Sequence, residues 1–435
     1  MLRRASVVLA TAVALQVVPS LASSPLPGQP LLKVAALSRD AVVRLQGERL
    51  VGVTWRSGTP TVSLRWHTRT GWTGWAAAED DTGDSPVGRP GTAPQWRPHG
   101  ADRVEVRTAG PATDLHLVRV LDGVVRHTLA VAEAATGRDI LGSVHSRADW
   151  GADESIRRAP RYAARVDAVV VHHTVNTNGY AQKDVPALIR ADYAYHVQGR
   201  GWGDLGYNLL VDQYGGIWEG HAGGLGRATI GTHAQGFNTG TLGVAMIGDM
   251  TKTTASHEAE RALAKVIAYA SRTWGWDPAG KVALTSQGSP RYASGRRVTL
   301  PRVFGHQQTG MTACPGSLQD RLPYLRSLAK VALGPAPRIG TPVVSGAPVH
   351  APTPLVLDTR LTLPAAWTID VTDPQGNAVV TTARGSGTAP HLSWDGTDGG
   401  VPALPGTYTW TVKADDGFHP VVKLQGRFDV GLPLL

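Results

Sequence analysis

Hydrophobic and polar positions alternate over short distances at both ends of the chain, with turn residues between the alternating runs. Residues 32–137 contain runs such as 50–55 (LVGVTW), and residues 353–435 contain runs such as 408–412 (YTWTV). Short alternating strands that are separated by frequent turns are typical of a β-sandwich. The pattern therefore predicts two small all-β sandwich domains, one at each end of the chain.

The middle of the chain, residues 145–333, mixes apolar strand-like runs with helical periods. The clearest helix is expected between Ser256, a suitable N-cap, and Trp274. Further helices are expected from about 184 to 196 and after Ser317. Strands that alternate with helices predict an α/β domain, here a mixed β-sheet flanked by helices and lying between the two sandwiches.

Two further segments have their own composition. Residues 334–352 are rich in Pro, Gly, Ala and Val, which predicts a semi-extended linker. At the N-terminus, two arginines precede an apolar run at 5–18, and 20–22 (SLA) forms a cleavage site. This arrangement predicts a signal peptide over 1–22 and a secreted protein. A retained membrane anchor is the alternative, although no later segment has ~18 consecutive apolar residues.

The length and charge of the chain limit its class. A chain of 435 residues is too long for one ordinary core, which agrees with several domains. The net charge of +9 suits an acidic partner such as nucleic acid, an anionic membrane or an anionic cell wall. The basic residues are scattered, however, so a solvated basic surface explains the charge equally well.

A candidate metal site is formed by one cysteine and two histidines of the middle region. Cys314 is the single cysteine, His172 follows a buried-looking strand, and His306 stands eight residues before Cys314. Two imidazoles and a thiolate suit zinc and leave a fourth coordination position for water. With these ligands the site keeps a formal charge of +1, which polarises a carbonyl. From the residues alone, Cys/His nucleophilic catalysis and unrelated core positions remain alternatives.

Several short motifs follow one another through the middle region. They are 146–152 (SRADWGA), 171–174 (VHHT), 206–208 (GYN), 231–234 (GTHA), 236–238 (GFN), 242–244 (LGV), 305–306 (GH) and 312–316 (TACPG). In this order they resemble the peptidoglycan-recognition proteins and the phage lysozyme-type members of the type 2 N-acetylmuramoyl-L-alanine amidases. Each motif alone is weak, but the ordered set is specific and covers nearly the whole region.

The resemblance implies a zinc ion bound by His172, His306 and Cys314. Adjacent strand residues point to opposite faces, so His172 and His173 do not both face one metal easily. The family pattern selects His172. His173 is then expected to pack beside the site or to support a ligand.

The resemblance also implies catalytic and substrate-binding residues. Tyr207 matches the tyrosine that positions the water or stabilises the oxyanion. Thr312 stands where phage members have lysine and many recognition proteins have threonine, and it is a candidate oxyanion donor. His233 and Asn238 belong to the groove motif and are candidate substrate contacts, although Asn238 also suits a turn.

The implied function is a secreted, wall-associated zinc amidase. It would hydrolyse the amide between the lactyl group of muramic acid and L-alanine in peptidoglycan, contacting both the glycan strand and the stem peptide. Anionic wall polymers are a second expected partner, and nucleic acid is not expected. A non-catalytic peptidoglycan-binding protein and a Cys/His cell-wall peptidase remain the alternatives.

Two features stand apart from the family motifs. Residues 307–310 (QQTG) replace the usual acidic residue after the second ligand histidine, and 286–298 forms an extra basic loop. At the C-terminus, 394–396 (WDG) and 404–408 (LPGTY) resemble the Ig-like domain of flagellar hook-capping proteins. That second resemblance implies a fold and no chemistry.

Overall fold

The computed structural model describes residues 31–80, 88–121 and 140–431, apart from 348, 350–353, 377, 399, 418 and 420. The expected signal peptide at 1–22 lies outside the described residues. Over the described ranges, none of the helices combines the length and apolarity needed to cross a bilayer.

Short antiparallel strands make up the described part of the first domain, which we call the N-terminal sandwich. They are β1 (Leu31–Ala36), β2 (Asp40–Arg44), β3 (Glu48–Thr54), β4 (Ser57–Gly58), β5 (Thr61–Thr68), β6 (Gly71–Trp72), β7 (Ala76–Ala77), β8 (Gln95–Trp96), β9 (Arg103–Ala109), β10 (Ala112–Thr113) and β11 (His116–Leu121). One sheet has the order β1-β11-β3-β8, and a second has the order β2-β9-β5-β6, with β7 paired to β5. Alternate residues such as Val53 and Val106 pack between the two sheets, which gives the sandwich its core.

The central domain is built on a mixed sheet. Its strands are β12 (Ala168–His173), β13 (Leu209–Val211), β14 (Ile217–Glu219), β15 (Thr241–Met246), β16 (Lys281–Thr285), β17 (Arg297–Pro301) and β18 (Val303–Gly305). The sheet order is β14-β13-β15-β12-β18, in which only the β14–β13 pair is antiparallel, while β16 and β17 form a separate hairpin. Every residue of β12 is buried, as expected for a parallel strand that is covered on both faces.

Three α-helices cover this sheet: α1 (Val185–Ala194), α2 (His257–Trp274) and α3 (Leu318–Leu333). The Ser256 hydroxyl accepts the Ala259 N–H at 3.1 Å, and Gly275 ends α2 in the left-handed conformation, so this helix is confirmed. Helices α2 and α3 pack on one face of the sheet and α1 on the other. The helix expected from about 184 to 196 is α1, which continues into a π-helical turn at Tyr195–Gly199.

A second antiparallel sandwich follows α3. Its strands are β19 (Val343–Ser345), β20 (Leu355–Asp358), β21 (Ala365–Thr372), β22 (Val379–Gly387), β23 (His391–Trp394), β24 (Thr397–Asp398), β25 (Val401–Pro402), β26 (Gly406–Asp415) and β27 (Val422–Val430). The sheets β19-β20-β23 and β22-β21-β26-β27 enclose one apolar core. Strand β19 lies inside the interval expected to be a linker, because it pairs with β20 and covers that strand's open edge.

The N-terminal sandwich and the central domain share a hydrophobic cluster. Leu50, Trp96 and Val118 of the sandwich pack with Ile189 and Tyr195 of the central domain, all of them buried. Polar contacts reinforce this interface: the Tyr195 hydroxyl donates to the Thr92 carbonyl at 2.7 Å. The two domains therefore meet through a common core rather than through a flexible connection.

A tight contact between Gly52 and Tyr195 allows the interface to be tested. A Cβ atom at Gly52 would overlap the Tyr195 ring. We expect Gly52→Ala to lower the free energy of unfolding by ~1–3 kcal/mol, the usual cost of overpacking, in denaturant titrations of the full chain. Gly74→Ala is the matched control, because a Cβ there meets nothing within 4 Å. Equal stability of the two variants would contradict the described interface.

Candidate metal centre

His172 stands near the carboxyl end of β12 and is 1% exposed. Strand pairing aligns it with Ala245, and Ala245 with Leu210, so the three side chains share one face of the sheet. Leu210 belongs to the cluster that contains α1, which identifies this as the α1 face. Carboxyl ends of parallel strands are the usual position of functional sites in α/β sheets.

The parallel pairing of β18 with β12 brings a second histidine beside the first. Val171 is paired with Gly305, so His172 and His306 follow side by side, and their ring centroids are 4.7 Å apart. Cys314 approaches from the segment before α3, with its Sγ 3.6 Å from His172 Nδ1. One ligand atom from each of the three residues lies within 4.8 Å of the others. The structure thus brings the three expected ligands together.

The geometry of this cluster fits a tetrahedral metal. A zinc ion bonded at about 2.3 Å to sulfur and about 2.0 Å to nitrogen has an S···N edge of roughly 3.5 Å. The observed separation of Cys314 Sγ and His172 Nδ1 is 3.6 Å. Burial, followed by the neighbouring His306 and His233, holds the pKa of His172 well below its ordinary value. His172 therefore stays neutral, which is the form that binds a metal.

His233 lies in the interior of the central domain, in contact with His172. It is fully buried, and its Nδ1 is 3.0 Å from His172 Nε2. If His172 binds metal through Nδ1, its Nε2 is protonated and donates a hydrogen bond to His233 Nδ1. This bond fixes the tautomer and the orientation of the His172 ring. The neighbouring strand β15 closes over the imidazole, so His233 is buried against His172, and its expected contact with substrate stays a prediction.

His173 faces the other side of β12, as the strand alternation predicts. Its Nδ1 accepts the Met250 N–H at 3.0 Å, and its own backbone N–H points at Cys314 Sγ from 3.4 Å. An N–H group directed at a thiolate favours the charged sulfur that a metal requires. His173 therefore acts on the candidate site through its backbone as well as by packing.

Asn238 holds the turn that carries His233. Its Oδ1 accepts the N–H groups of His233 and Ala234, both at 2.8 Å. Asn238 also lines a cavity of ≈ 310 Å³ in the central domain. Other residues of the cavity wall include Arg158, Thr232, Gln235, Gln287 and Gly288. The last two come from the extra loop at 286–298, so this loop helps to shape the cavity.

Tyr207 and Thr312, the expected catalytic residues, both stand close to the ligand set. The half-buried Tyr207 ring lies 5.3 Å from the His172 ring, and its hydroxyl is 3.5 Å from the His173 carbonyl oxygen. The Thr312 hydroxyl accepts the Cys314 N–H at 3.0 Å and donates to the Glu79 carboxylate. The Thr312 hydroxyl thus joins the Cys314 backbone to Glu79, and its expected role as an oxyanion donor stays a prediction.

Glu79 of the N-terminal sandwich is the residue that sequence reasoning missed. Its Oε1 accepts the Ala313 N–H at 2.9 Å and the Cys314 N–H at 3.3 Å. Its Oε2 lies 3.8 Å from His173 Nε2. Glu79 follows a short apolar run at 75–78 (WAAA), and no local pattern marks it as part of a distant site.

Comparisons with known proteins agree with this arrangement. The family model described as N-acetylmuramoyl-L-alanine amidase matches residues 162–317, which include the three candidate ligands. A peptidoglycan-recognition protein of Drosophila melanogaster is 30% identical over 176 residues, 40% of this chain and 82% of the relative. A peptidoglycan-recognition protein of Drosophila simulans is 25% identical over 189 residues, 43% and 86% of the two chains.

Solved structures of similar proteins cover a comparable share of the chain. Drosophila PGRP-LB is 25% identical with a TM-score of 0.32 over 44% of this chain and 94% of the other. The endolysin amidase LysCS of Clostridium intestinale is 19% identical with a TM-score of 0.28 over 40% and 88%. The central domain is of the amidase class, as its family match shows. Through that domain the chain belongs to the peptidoglycan-recognition protein family, which includes type 2 amidases.

Proposed function

We propose that this protein is a secreted, zinc-dependent N-acetylmuramoyl-L-alanine amidase that acts on peptidoglycan. The observation that carries the proposal is the convergence of His172, His306 and Cys314, whose ligand atoms lie within 4.8 Å of one another. A binding protein needs the groove but not this donor set. The presence of all three donors therefore favours catalysis over recognition alone.

The proposed reaction is hydrolysis of the amide between the muramic acid lactyl group and L-alanine. Zinc at these ligands would supply a Lewis acid that stabilises negative charge on the scissile carbonyl oxygen. Tyr207, beside His172, is proposed to donate a hydrogen bond to that oxygen as charge develops. His233 is proposed to keep His172 in the ligating tautomer, and the cavity that Asn238 lines is proposed to receive part of the substrate.

Two other classes of hydrolase need catalytic groups that differ from a metal centre. A Cys/His peptidase would activate Cys314 through His172, whose Nδ1 is 3.6 Å from the sulfur, but it would give His306 no role. A glycosidase needs two carboxylates on either side of a sugar bond, whereas Glu79 is the carboxylate that the described structure shows bonded next to the ligand set.

Secretion and attachment to the wall belong to the same proposal. The pattern at 1–22 supports export, and the relatives' names refer to peptidoglycan. The net charge of +9 suits retention on anionic wall polymers, an effect that salt should weaken.

Product analysis tests which bond is cut. We expect purified peptidoglycan that is digested with the full-length protein to release peptides with a new N-terminal L-alanine. No new reducing sugar ends should form, because a zinc site stabilises charge on a carbonyl oxygen rather than on an oxocarbenium ion. N-terminal analysis and a reducing-sugar assay measure the two products.

Protein treated with a chelator, with and without added zinc, is the control for that digestion. New reducing ends would indicate a glycosidase, and a different new N-terminus would indicate an endopeptidase. Tight binding to the wall without any cleavage by the zinc-loaded protein would show a recognition protein. Cleavage by the metal-free protein that alkylation of Cys314 abolishes would show a thiol peptidase.

A further inference from the structure

The backbone around Glu79 is fixed by the interface between the N-terminal sandwich and the central domain. The Glu79 carbonyl accepts the Ala93 N–H at 2.9 Å, and the next residue forms a bridge with Thr92. The Thr92 carbonyl in turn accepts the Tyr195 hydroxyl at 2.7 Å and the Arg200 guanidinium at 3.1 Å. Glu79 is therefore held against the central domain by neighbours that are themselves bonded across the interface.

The Glu79 carboxylate reaches the segment that carries the cysteine ligand, residues 312–314. One oxygen, Oε1, accepts the Thr312 hydroxyl and the backbone N–H groups of Ala313 and Cys314. The side chain is 19% exposed, so these charge-assisted bonds lie in a partly dehydrated environment. Backbone N–H groups that converge on one point form a concavity suited to an anion, and here the anion comes from another domain.

The contact with Glu79 holds the backbone of Cys314 on one side, and the segment that carries His306 holds it on the other. The Cys314 N–H is bonded to Glu79, and the Cys314 carbonyl accepts the N–H of Gln307, the residue after His306, at 2.8 Å. With both backbone groups held, the Cα–Cβ bond of Cys314 keeps its direction, and one rotamer places Sγ 3.6 Å from His172 Nδ1. Such outer partners usually set the affinity of a metal site.

The negative charge of Glu79 also favours metal binding. Two neutral imidazoles, one thiolate and a divalent ion leave a formal charge of +1. The carboxylate lies next to this site, with its second oxygen 3.8 Å from His173 Nε2. A negative group at this position offsets the excess charge and favours retention of the ion.

We propose that Glu79 is a positioning residue of the metal centre, so that the site of the central domain is completed by the N-terminal sandwich. The inference rests on the metal in the proposed function and is independent of which bond is cut. An alternative is that the contact of Glu79 with residues 312–314 is a removable plug, which blocks access to the candidate metal centre. The shared core of Leu50, Trp96 and Tyr195 argues against a plug, because withdrawal of Glu79 would separate buried surfaces.

Zinc affinity of full-length variants tests the proposal. We expect Glu79→Ala to weaken zinc binding about 10- to 100-fold, the usual effect of losing an outer partner, in competition with a chromophoric chelator. Glu79→Gln keeps an oxygen that accepts the same three hydrogen bonds, so it should recover part of the loss. Asp40→Ala is the matched control, because it removes one exposed carboxylate of the same sandwich, on strand β2, which β9 and β5 separate from β7.

A second measurement separates positioning from a general role in stability. The rise in melting temperature on adding zinc should be smaller for Glu79→Ala than for the wild type, whereas a purely structural role would lower the melting temperature of the metal-free protein and leave that rise unchanged. Unchanged zinc affinity in Glu79→Ala would overturn the inference, and higher activity at unchanged affinity would identify a plug instead. Wild-type protein that takes up no zinc would refute the metal-dependent function itself.

Discussion

Cys314→Ser is expected to lose most of its bound zinc and, with it, hydrolysis of the wall. A hydroxyl is a far poorer ligand than a thiolate for this class of metal. Outer-shell partners alone are worth about 10- to 100-fold in metal affinity, so loss of a direct ligand should cost at least about 100-fold. Metal analysis of purified protein should give about one zinc per chain for the wild type and little for the variant.

Met311→Ser is the matched control for this substitution. Met311 lies in the same segment, is 67% exposed, and loses its sulfur in exchange for a hydroxyl. It should keep both zinc and activity. Full zinc content in Cys314→Ser would show that the thiolate is not a ligand. Loss of activity at full zinc content would indicate that Cys314 acts as a nucleophile rather than as a ligand.

Tyr207→Phe is expected to keep its zinc and its stability but to hydrolyse a soluble muropeptide about 100-fold more slowly. Removing one hydrogen bond to a developing oxyanion costs about 10²- to 10³-fold in kcat. The Tyr207 ring packs against His172 with an interplanar angle of 51° and centroids 5.3 Å apart. A phenylalanine ring would preserve that contact. The substitution therefore removes the hydroxyl and little else.

Steady-state kinetics and metal content measured on the same preparation test this role. Tyr324→Phe, on the exposed side of α3, is the control for loss of a phenol, since Tyr324 is 43% exposed. It should match the wild type in rate. A wild-type rate for Tyr207→Phe would leave Tyr207 as a core residue that packs against the ligand histidine.

Local patterns were sufficient to predict helix α2 and the separation of the two adjacent histidines. The cap at Ser256 and the apolar period of α2 are short-range signals, and the helix begins at His257. The alternation along β12 separates His172 from His173, and the structure shows them on opposite faces. The remaining ligands, His306 and Cys314, were predicted from the resemblance of the ordered motifs to the type 2 amidases, and the pairing of β18 with β12 brings His306 beside His172.

Contacts between residues that are far apart in the sequence could not be predicted from local patterns. Glu79 and Cys314 are 235 positions apart, and neither flank of Glu79 distinguishes it from other strand ends. The shared core is equally hidden, since Leu50 and Trp96 read as ordinary residues of a self-contained sandwich. His233 stands in a groove motif, yet the packing of β15 against it decides that it is buried.

The place of His233 behind His172 has a consequence for how the sequence can vary. A Cβ atom at Gly243 would overlap the His233 imidazole, and one at Gly231 would come within 2.8 Å of it. These two glycines and the histidine thus form a single evolutionary unit, in which no member can change freely while the others stay. Homologues with a larger side chain at 243 should also have replaced the histidine at 233, and they should orient the first ligand histidine by some other partner.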